Sequence, residues 1–400
     1  MGIRTALGRE VSGLVGGGRE RCLVVVTTGW GLLVGGRMIL PVVLPDLQGT
    51  YGLSLSIAGL LVTTLWLFAS IGQLPSGMLA DRYSERALMA ASVAIVAVAI
   101  GLFVTAVTPI VLFVAAALWG LALSLYPIAR ITFLSKLYPD RLGSALGVTM
   151  ATGDIGQTVL PPIAAAVAGA IAWQAGLGFV VPLLLVSGVL VLVTLPTETR
   201  AAGSGEAQSL RETLAVFGEL RDPALGTMAI ILFLYMFIWQ SFTAFYPTYL
   251  TTVKNLSSST ASLLFGFFFA VGVVVKPVSG AAYDRIGMRG SLLGILLPPV
   301  VGFLLLPVAD GAWLLAVLTA FVSTMLGSGA ITQSYLADSF SDETRGTGLG
   351  VIRTTSATLG ATGPVMFGVI ADYGYLDEGY LGLAAVMVVV ILLTLRMPRA

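Results

Sequence analysis

Gly77-Met78-Leu79-Ala80-Asp81-Arg82 and Gly280-Ala281-Ala282-Tyr283-Asp284-Arg285 repeat one Gly-x-x-x-Asp-Arg frame at an offset of 203 residues. The same offset carries Gly143, Leu146, Gly147 and Val148 onto Gly346, Leu349, Gly350 and Val351, and Pro161 onto Pro364. Independent matches at a single offset argue for a duplicated chain. Each frame closes a long apolar run and opens a charged loop, so the repeated unit is a set of apolar segments. Two halves repeated in parallel are related by an axis along the membrane normal.

Composition identifies the solvent. Hydrophobic residues are 57% of the 400-residue chain and charged residues 10%. A soluble globule carries about 25% charged residues, so this chain cannot cover a water-facing surface. Gly (48) and Pro (18) suit close-packed, locally broken membrane helices. The net charge of +1 gives no general attraction to nucleic acid. With no His and one Cys (Cys22), the chain offers no His relay, no internal disulfide and no Cys/His metal site. No Gly-Lys pair exists, which argues against a phosphate-binding P-loop. No cofactor is expected.

Ala87–Ala129 and Ile155–Thr197 each run 43 residues without a charge. As single helices they would be roughly 65 Å long, twice a bilayer's hydrocarbon core. Each must therefore fold back, the first near Thr108-Pro109 and the second near Gly169–Trp173. The expectation is an all-α membrane protein with twelve transmembrane helices. They lie near 22–46, 55–79, 87–107, 110–134, 143–168, 173–195, 225–250, 258–281, 291–308, 313–335, 347–371 and 380–396. With the N-terminus inside, 16 of 21 basic residues fall on cytoplasmic segments and only Lys254 falls outside. That bias sets both termini in the cytoplasm of a multi-pass cell-membrane protein. The expected organisation is a tail (1–21), a six-helix bundle (22–196), a cytoplasmic linker (197–223) and a second six-helix bundle (224–400). The linker holds an amphipathic run, Leu210–Leu220, read as a spacer on lipid headgroups.

Gly77-x-x-x-Asp81-Arg82 and Gly280-x-x-x-Asp284-Arg285-x-Gly287-x-Arg289 resemble the G-x-x-x-D-R-x-G-R loop signature of the major facilitator superfamily. The resemblance extends over the whole chain: twelve spans, a central loop, both signatures and a Gly/Pro-rich fifth span. The first copy departs from the pattern, with Ser84 in place of Gly and Glu85 before Arg86. The resemblance implies two pseudo-symmetric six-helix bundles and a cytoplasmic gate built from Gly77, Asp81, Arg82, Arg86, Gly280, Asp284, Arg285 and Arg289. It implies that Asp81 lies against the start of span 11, near Gly346–Gly348, and that spans 1, 4, 7 and 10 line a central cavity. The physics is separable from the name. Gly at a span end admits a neighbouring helix, and an Asp suits the positive end of another.

Five ionisable residues fall within spans: Arg37, Arg130, Asp154, Lys276 and Arg353. Each costs at least ~2.5–3.5 kcal/mol to insert, so each is a candidate for function. Arg37 lies about 24 Å beyond Arg21 and Asp154 about 20 Å beyond Arg141; both are near the midplane. Lys276 and Arg353 lie about 12 Å in, and Arg130 is shallower. Arg37 shares a helical face with Trp30, Val34, Pro41 and Leu44. The repeat maps Arg37 onto Gln240 and Arg130 onto Gln333, which sets polar groups at matching depths. Arg37 then reads as a substrate ligand, or as a strut bonded to backbone freed by Pro41 or Pro45, or held by Asp154. Asp154, whose repeat counterpart is Ala357, reads as a proton carrier, as the fixed partner of Arg37, or as a tolerated residue. Lys276 and Arg353 are additions to the second half; Arg353 could serve the cavity or the latch. Span 7 aromatics suit either a substrate wall or packing, and Tyr246 joins the candidate ligands.

These residues favour a secondary transporter, not an enzyme, carrying a small organic anion with proton coupling: a symporter working by alternating access as a monomer. The expected substrate ligands are Arg37, Gln240, Tyr246, Arg130, Gln333, Lys276 and Arg353, with Asp154 as the proton carrier. A proton-coupled exporter of hydrophobic drugs fits the aromatics but not the basic residues. An intramembrane enzyme would need a nucleophile–base pair or metal ligands at depth, and Asp154 has no second acid beside it. A channel would favour symmetric pore rings, which two non-identical halves do not supply.

Overall fold

The computed structural model describes residues 19–80, 82–196, 222–340 and 345–397. Among the described residues every regular element is a helix, and they form twelve rods. α1 is Arg19–Arg37 continued by Leu40–Tyr51, and α2 is Leu55–Ile71 continued by Gln73–Ala80. α3 is Glu85–Val104, α4 Pro109–Leu137, α5 Leu142–Ala170 and α6 Trp173–Thr194. α7 is Pro223–Thr252. One continuous helical stretch, Ser258–Leu305, bends at Gly287 into α8 (258–286) and α9 (288–305). α10 is Ala312–Ser339, α11 is Arg345–Gly360 continued by Gly363–Asp372, and α12 is Leu376–Arg396. The N-terminal tail, the linker with its Leu210–Leu220 run, and Asp81 lie outside the described residues.

The chain reverses where the sequence demands it. Thr108 is extended (φ −140, ψ 153) and Pro109 starts α4, a position where the missing N–H was unpaired anyway. Ile171 and Ala172 leave the helical region between α5 and α6. Ser54 and Ser257, 203 residues apart, cap α2 and α8 by accepting from Ile57 N and Thr260 N. The two copies of the loop signature diverge at one point. Gly287 adopts φ 71, ψ 177, a region essentially closed to residues with a Cβ. Its counterpart Ser84 stays extended (φ −66, ψ 147) and caps α3 through Ala87 N. The Gly-to-Ser departure thus replaces a backbone bend with a side-chain cap.

Among the described residues, eight stretches are long and apolar enough to cross a membrane, and Ser258–Val308 contains two rods. The rods outside that set are α2, α5 and α11. With α8 they form the seams where the two halves meet: α2 packs on α11 and α5 on α8. Helices covered by protein need not be uniformly apolar. Within the first half, small residues allow α1 and α5 to touch: a Cβ on Gly156 would collide with the Gly31 carbonyl, and one on Gly35 with Gly156.

Candidate functional site

The site grows from the break in α1. Met38 N donates to Gly35 O (3.0 Å) and Ile39 N to Gly36 O (3.1 Å), a tightened turn before the helix resumes. Arg37 therefore ends a half-helix, whose carbonyl end favours a cation. Its guanidinium lies 3.9 Å over the Trp66 ring of α2, and its Nε is buried without a partner. Trp66 meets Trp239 of α7 edge-on at 5.0 Å, so the stack bridges the two halves. Arg37, Pro41, Val62, Leu65, Trp66, Thr243 and Ala244 enclose a cavity of about 10 Å³, on the order of one water.

A second guanidinium repeats this geometry. Arg130 of α4 lies 4.0 Å over Trp30. It is 2% exposed, and its Nε and Nη1 are without partners. Tyr126, one turn earlier, stacks on Trp30 and donates to Val26 O (2.8 Å), fixing the platform. Trp30 and Arg37 are seven residues apart on one face of α1, so the two tiers are separated by about 10 Å along the helix. Arg353 of α11 is exposed and near enough for its charge to bear on Arg130. Stacking engages the face of a guanidinium and leaves its edge of N–H donors available.

Asp154 does not pair with Arg37. Its Oδ1 accepts from Lys276 Nζ of α8 at 2.5 Å and from Gln157 Nε2 at 3.3 Å. The alternative of a fixed Arg37–Asp154 bridge is not what the structure holds: Arg37 lies on Trp66, and the close α5–α8 seam brings Lys276 to Asp154. Gln240 is buried and donates to Ala357 O (3.2 Å). Gln333 is exposed on α10. Tyr246 is fully buried, bonded to Thr319, and stacked on Phe242 at 4.5 Å. Phe242 also meets Phe268 and Phe303. Phe242 and Tyr246 are thus packed in the core of the second bundle.

The end of the molecule opposite the termini is closed. Asp372, at the end of α11, accepts from Leu55 N (2.6 Å) and Ser56 N (3.1 Å) at the start of α2. Burial would raise its carboxyl, but the bonds from Ser56, Leu55 and Ser54 outweigh that and hold it below the usual carboxylate range. Further in, a Cβ on Gly59 would collide with the Pro364 carbonyl, and Val365 N donates to Thr63 Oγ1 (3.2 Å). At the terminus-bearing end, Cβ atoms on Gly77, Gly143, Gly147 and Gly280 would meet open space. There Arg82, Asp284 and Arg285 are exposed. Arg86 donates to Leu195 O (3.3 Å) of its own bundle, and Arg289 is half-buried. Tyr283 donates to Asp338 Oδ2 (2.8 Å), and burial together with that carboxylate pushes its phenol up to about 12. The expected contact of Asp81 with α11 lies outside the described residues.

Sequence reasoning missed both tryptophan platforms and the Asp372 contact. Trp30 at seven residues from Arg37 was a visible signal; Trp66 and Asp372 meet their partners only through tertiary packing.

Comparison with known proteins agrees with this architecture. The profile of the Major Facilitator Superfamily matches residues 26–364. The chain is 22% identical over 356 residues to a hexuronate transporter of Bacillus subtilis (strain 168), covering 84% of each. It is 23% identical over 212 residues to a probable nitrate transporter, NarT, of Staphylococcus carnosus (strain TM300), covering 50% of this chain and 51% of that one. The crystal structure of a bacterial homolog of the human lysosomal transporter Spinster, inward-facing and occupied, superposes with a TM-score of 0.78 at 15% identity, covering 94% of this chain and 96% of that one. The nucleoside transporter NupG superposes with the same TM-score of 0.78 at 13% identity, covering 94% and 98%. Twelve helical rods in two repeated halves, the twin loop signatures and a profile match over most of the sequence make this chain a member of the major facilitator superfamily, a membrane transporter and not an enzyme.

Proposed function

We propose that this transporter carries a small organic anion, with proton coupling through Asp154, by alternating exposure of the Arg37–Arg130 region to the two membrane faces. One observation carries the reading. The mid-depth acid, Asp154, is taken by Lys276, and no ion pair is formed by Arg37, Arg130 or Arg353 among the described residues. Cations at membrane depth favour a counter-charge, and an anionic substrate supplies it. A planar guanidinium edge matches a carboxylate with two bonds, worth ~1.5–3 kcal/mol each to a charged group. The names of two relatives, a hexuronate and a nitrate transporter, point to anionic cargo as well.

In this reading Arg37, Arg130 and Arg353 bind the substrate, and Gln240 and Gln333 are neutral donors at the corresponding depths of the second half. Gly77, Asp81, Arg82, Arg86, Gly280, Asp284, Arg285 and Arg289 form the gate on the side of the termini. The distribution of basic residues supports a cytoplasmic position for that side. The protein works as a monomer in the lipid of the cell membrane. The test is counterflow in proteoliposomes with labelled glucuronate and nitrate, a neutral hexose as control, and an imposed pH gradient. Uptake of an anion that is lost in Arg130→Gln, with accumulation against a gradient lost in Asp154→Asn, is the expected result. Uptake of the neutral hexose alone overturns the anion reading, and full accumulation by Asp154→Asn moves the coupling elsewhere.

A further inference from the structure

We propose that Asp372 is a latch that closes the face opposite the termini by capping a helix of the other bundle. The inference rests on the two bundles moving relative to one another, and not on the anion reading. The first N–H groups of a helix have no partner within it and carry its positive end. In α2, Ser54 Oγ serves Ile57 N. The two preceding donors, Leu55 N and Ser56 N, are met one each by the two carboxylate oxygens of Asp372. A residue of the second half thus completes a helix of the first.

The latch ends a regular seam. On α2 the contacts fall at Leu55, Gly59 and Thr63; on the antiparallel α11 they fall at Gly368, Pro364 and Val365. The spacing on α2 is four residues, one helical turn, and Gly368 and Pro364 keep the same step on α11. A Cβ on Gly368 would collide with the Leu55 carbonyl, and one on Gly59 with that of Pro364. Such a seam has no slack and opens by separation from one end. Asp372 sits at that end, where its bonds are exposed to water. The repeat shows that the fold does not require it. Position 372 corresponds to Gly169, and Leu55–Ser56 correspond to Ser258–Ser259. The twin seam of α5 and α8 is held deeper, where Gly266 approaches the Thr158 carbonyl and Lys276 bonds Asp154. Among the described residues, the carboxylate cap at this end belongs to the α2–α11 seam; the polar link of the α5–α8 seam, Lys276 to Asp154, lies at mid-depth.

The test is accessibility of a cysteine behind the seam. Ala244 lines the cavity beside Arg37, so Ala244→Cys in a Cys22→Ser background reports opening when an impermeant maleimide is applied to each membrane face in turn. Asp372→Asn should raise labelling from the face opposite the termini about tenfold, reflecting the lost helix-end charge and the loss of one of the two bonds, since an amide has a single acceptor oxygen. Asp372→Glu should return the rate most of the way. If Asp372→Asn does not accumulate in the membrane, Leu55→Pro takes its place. Pro is tolerated at the first helical position, and Ser54 already has the extended geometry (φ −67, ψ 164) that a following Pro requires. That variant deletes the shorter bond and leaves the carboxylate, and should raise labelling several-fold. Rates unchanged in both Asp372→Asn and Leu55→Pro overturn the latch, as does an equal increase in Asp372→Glu and Asp372→Asn.

Discussion

Removing either partner of the Lys276–Asp154 pair should have very unequal consequences. The Asp154 side chain is 8% exposed and that of Lys276 is 36% exposed. Lys276→Met leaves a buried carboxylate with only the Gln157 amide nearby, at 3.3 Å. Breaking a buried pair in this way costs about 3–5 kcal/mol. Asp154→Asn leaves an ammonium that is 36% exposed on a flexible stem, able to reach a more polar position. That loss should be about 1 kcal/mol, the range of solvent-screened pairs. The double variant retains neither charge of the pair and should recover at least half of the Lys276→Met loss. The assay is equilibrium unfolding of purified protein in lipid nanodiscs, read as a double-mutant cycle. A gap of roughly 2–4 kcal/mol corresponds to a 30- to 1,000-fold difference in unfolding equilibrium. Equal losses in the two single variants, or strict additivity in the double, would refute the assignment of the pair and its asymmetry. Arg37→Gln should add independently to either, because Arg37 lies on Trp66 and not on Asp154.

Arg37→Lys should weaken binding of an anionic substrate about tenfold or more, with unchanged thermal stability; equal affinity in a counterflow competition assay removes Arg37 from the site. Gly287→Ala should destabilise the protein by about 1–3 kcal/mol, because φ 71, ψ 177 suits only glycine. Ser84→Gly at the matching position should cost only a few tenths of a kcal/mol, and nanodisc unfolding of both variants checks the contrast. Asp372 is held below the ordinary carboxylate value of about 3.9. Its contribution to closure is therefore complete above that value and lost as the pH falls through its lowered one. Labelling of Ala244→Cys from that face, divided at each pH by the rate of a free thiol because the thiolate is the reacting form, should be flat between about pH 8 and 5 and rise only below about 4. Asp372→Asn should abolish the acid step, and an acid step that persists assigns it to another group.

The amino-acid sequence by itself determined the features that local chemistry and chain length dictate. Uncharged stretches of 43 residues had to reverse, and Thr108-Pro109 could not continue a helix into α4. One offset of 203 residues named the duplication, the twin loops and the polar positions paired with Arg37 and Arg130. The depth of each ionisable residue came from counting along a helix. Contacts between helices were another matter, because they depend on which faces meet and how closely. Asp154 and Arg37 stand at similar depths, yet Asp154 is bonded to Lys276, since the α5–α8 seam sets those side chains together. The repeat mapped Arg37 onto Gln240, yet one lies on a tryptophan and the other on the backbone of Ala357. Tyr246 had the composition of a binding wall and is buried, stacked on Phe242, on which Phe268 and Phe303 converge. Nothing in the sequence singled out Asp372, one residue beyond the expected span 347–371. Only the antiparallel approach of α2 and α11, made possible by Gly59 and Gly368, brought its carboxylate to the open end of a helix more than 300 residues away.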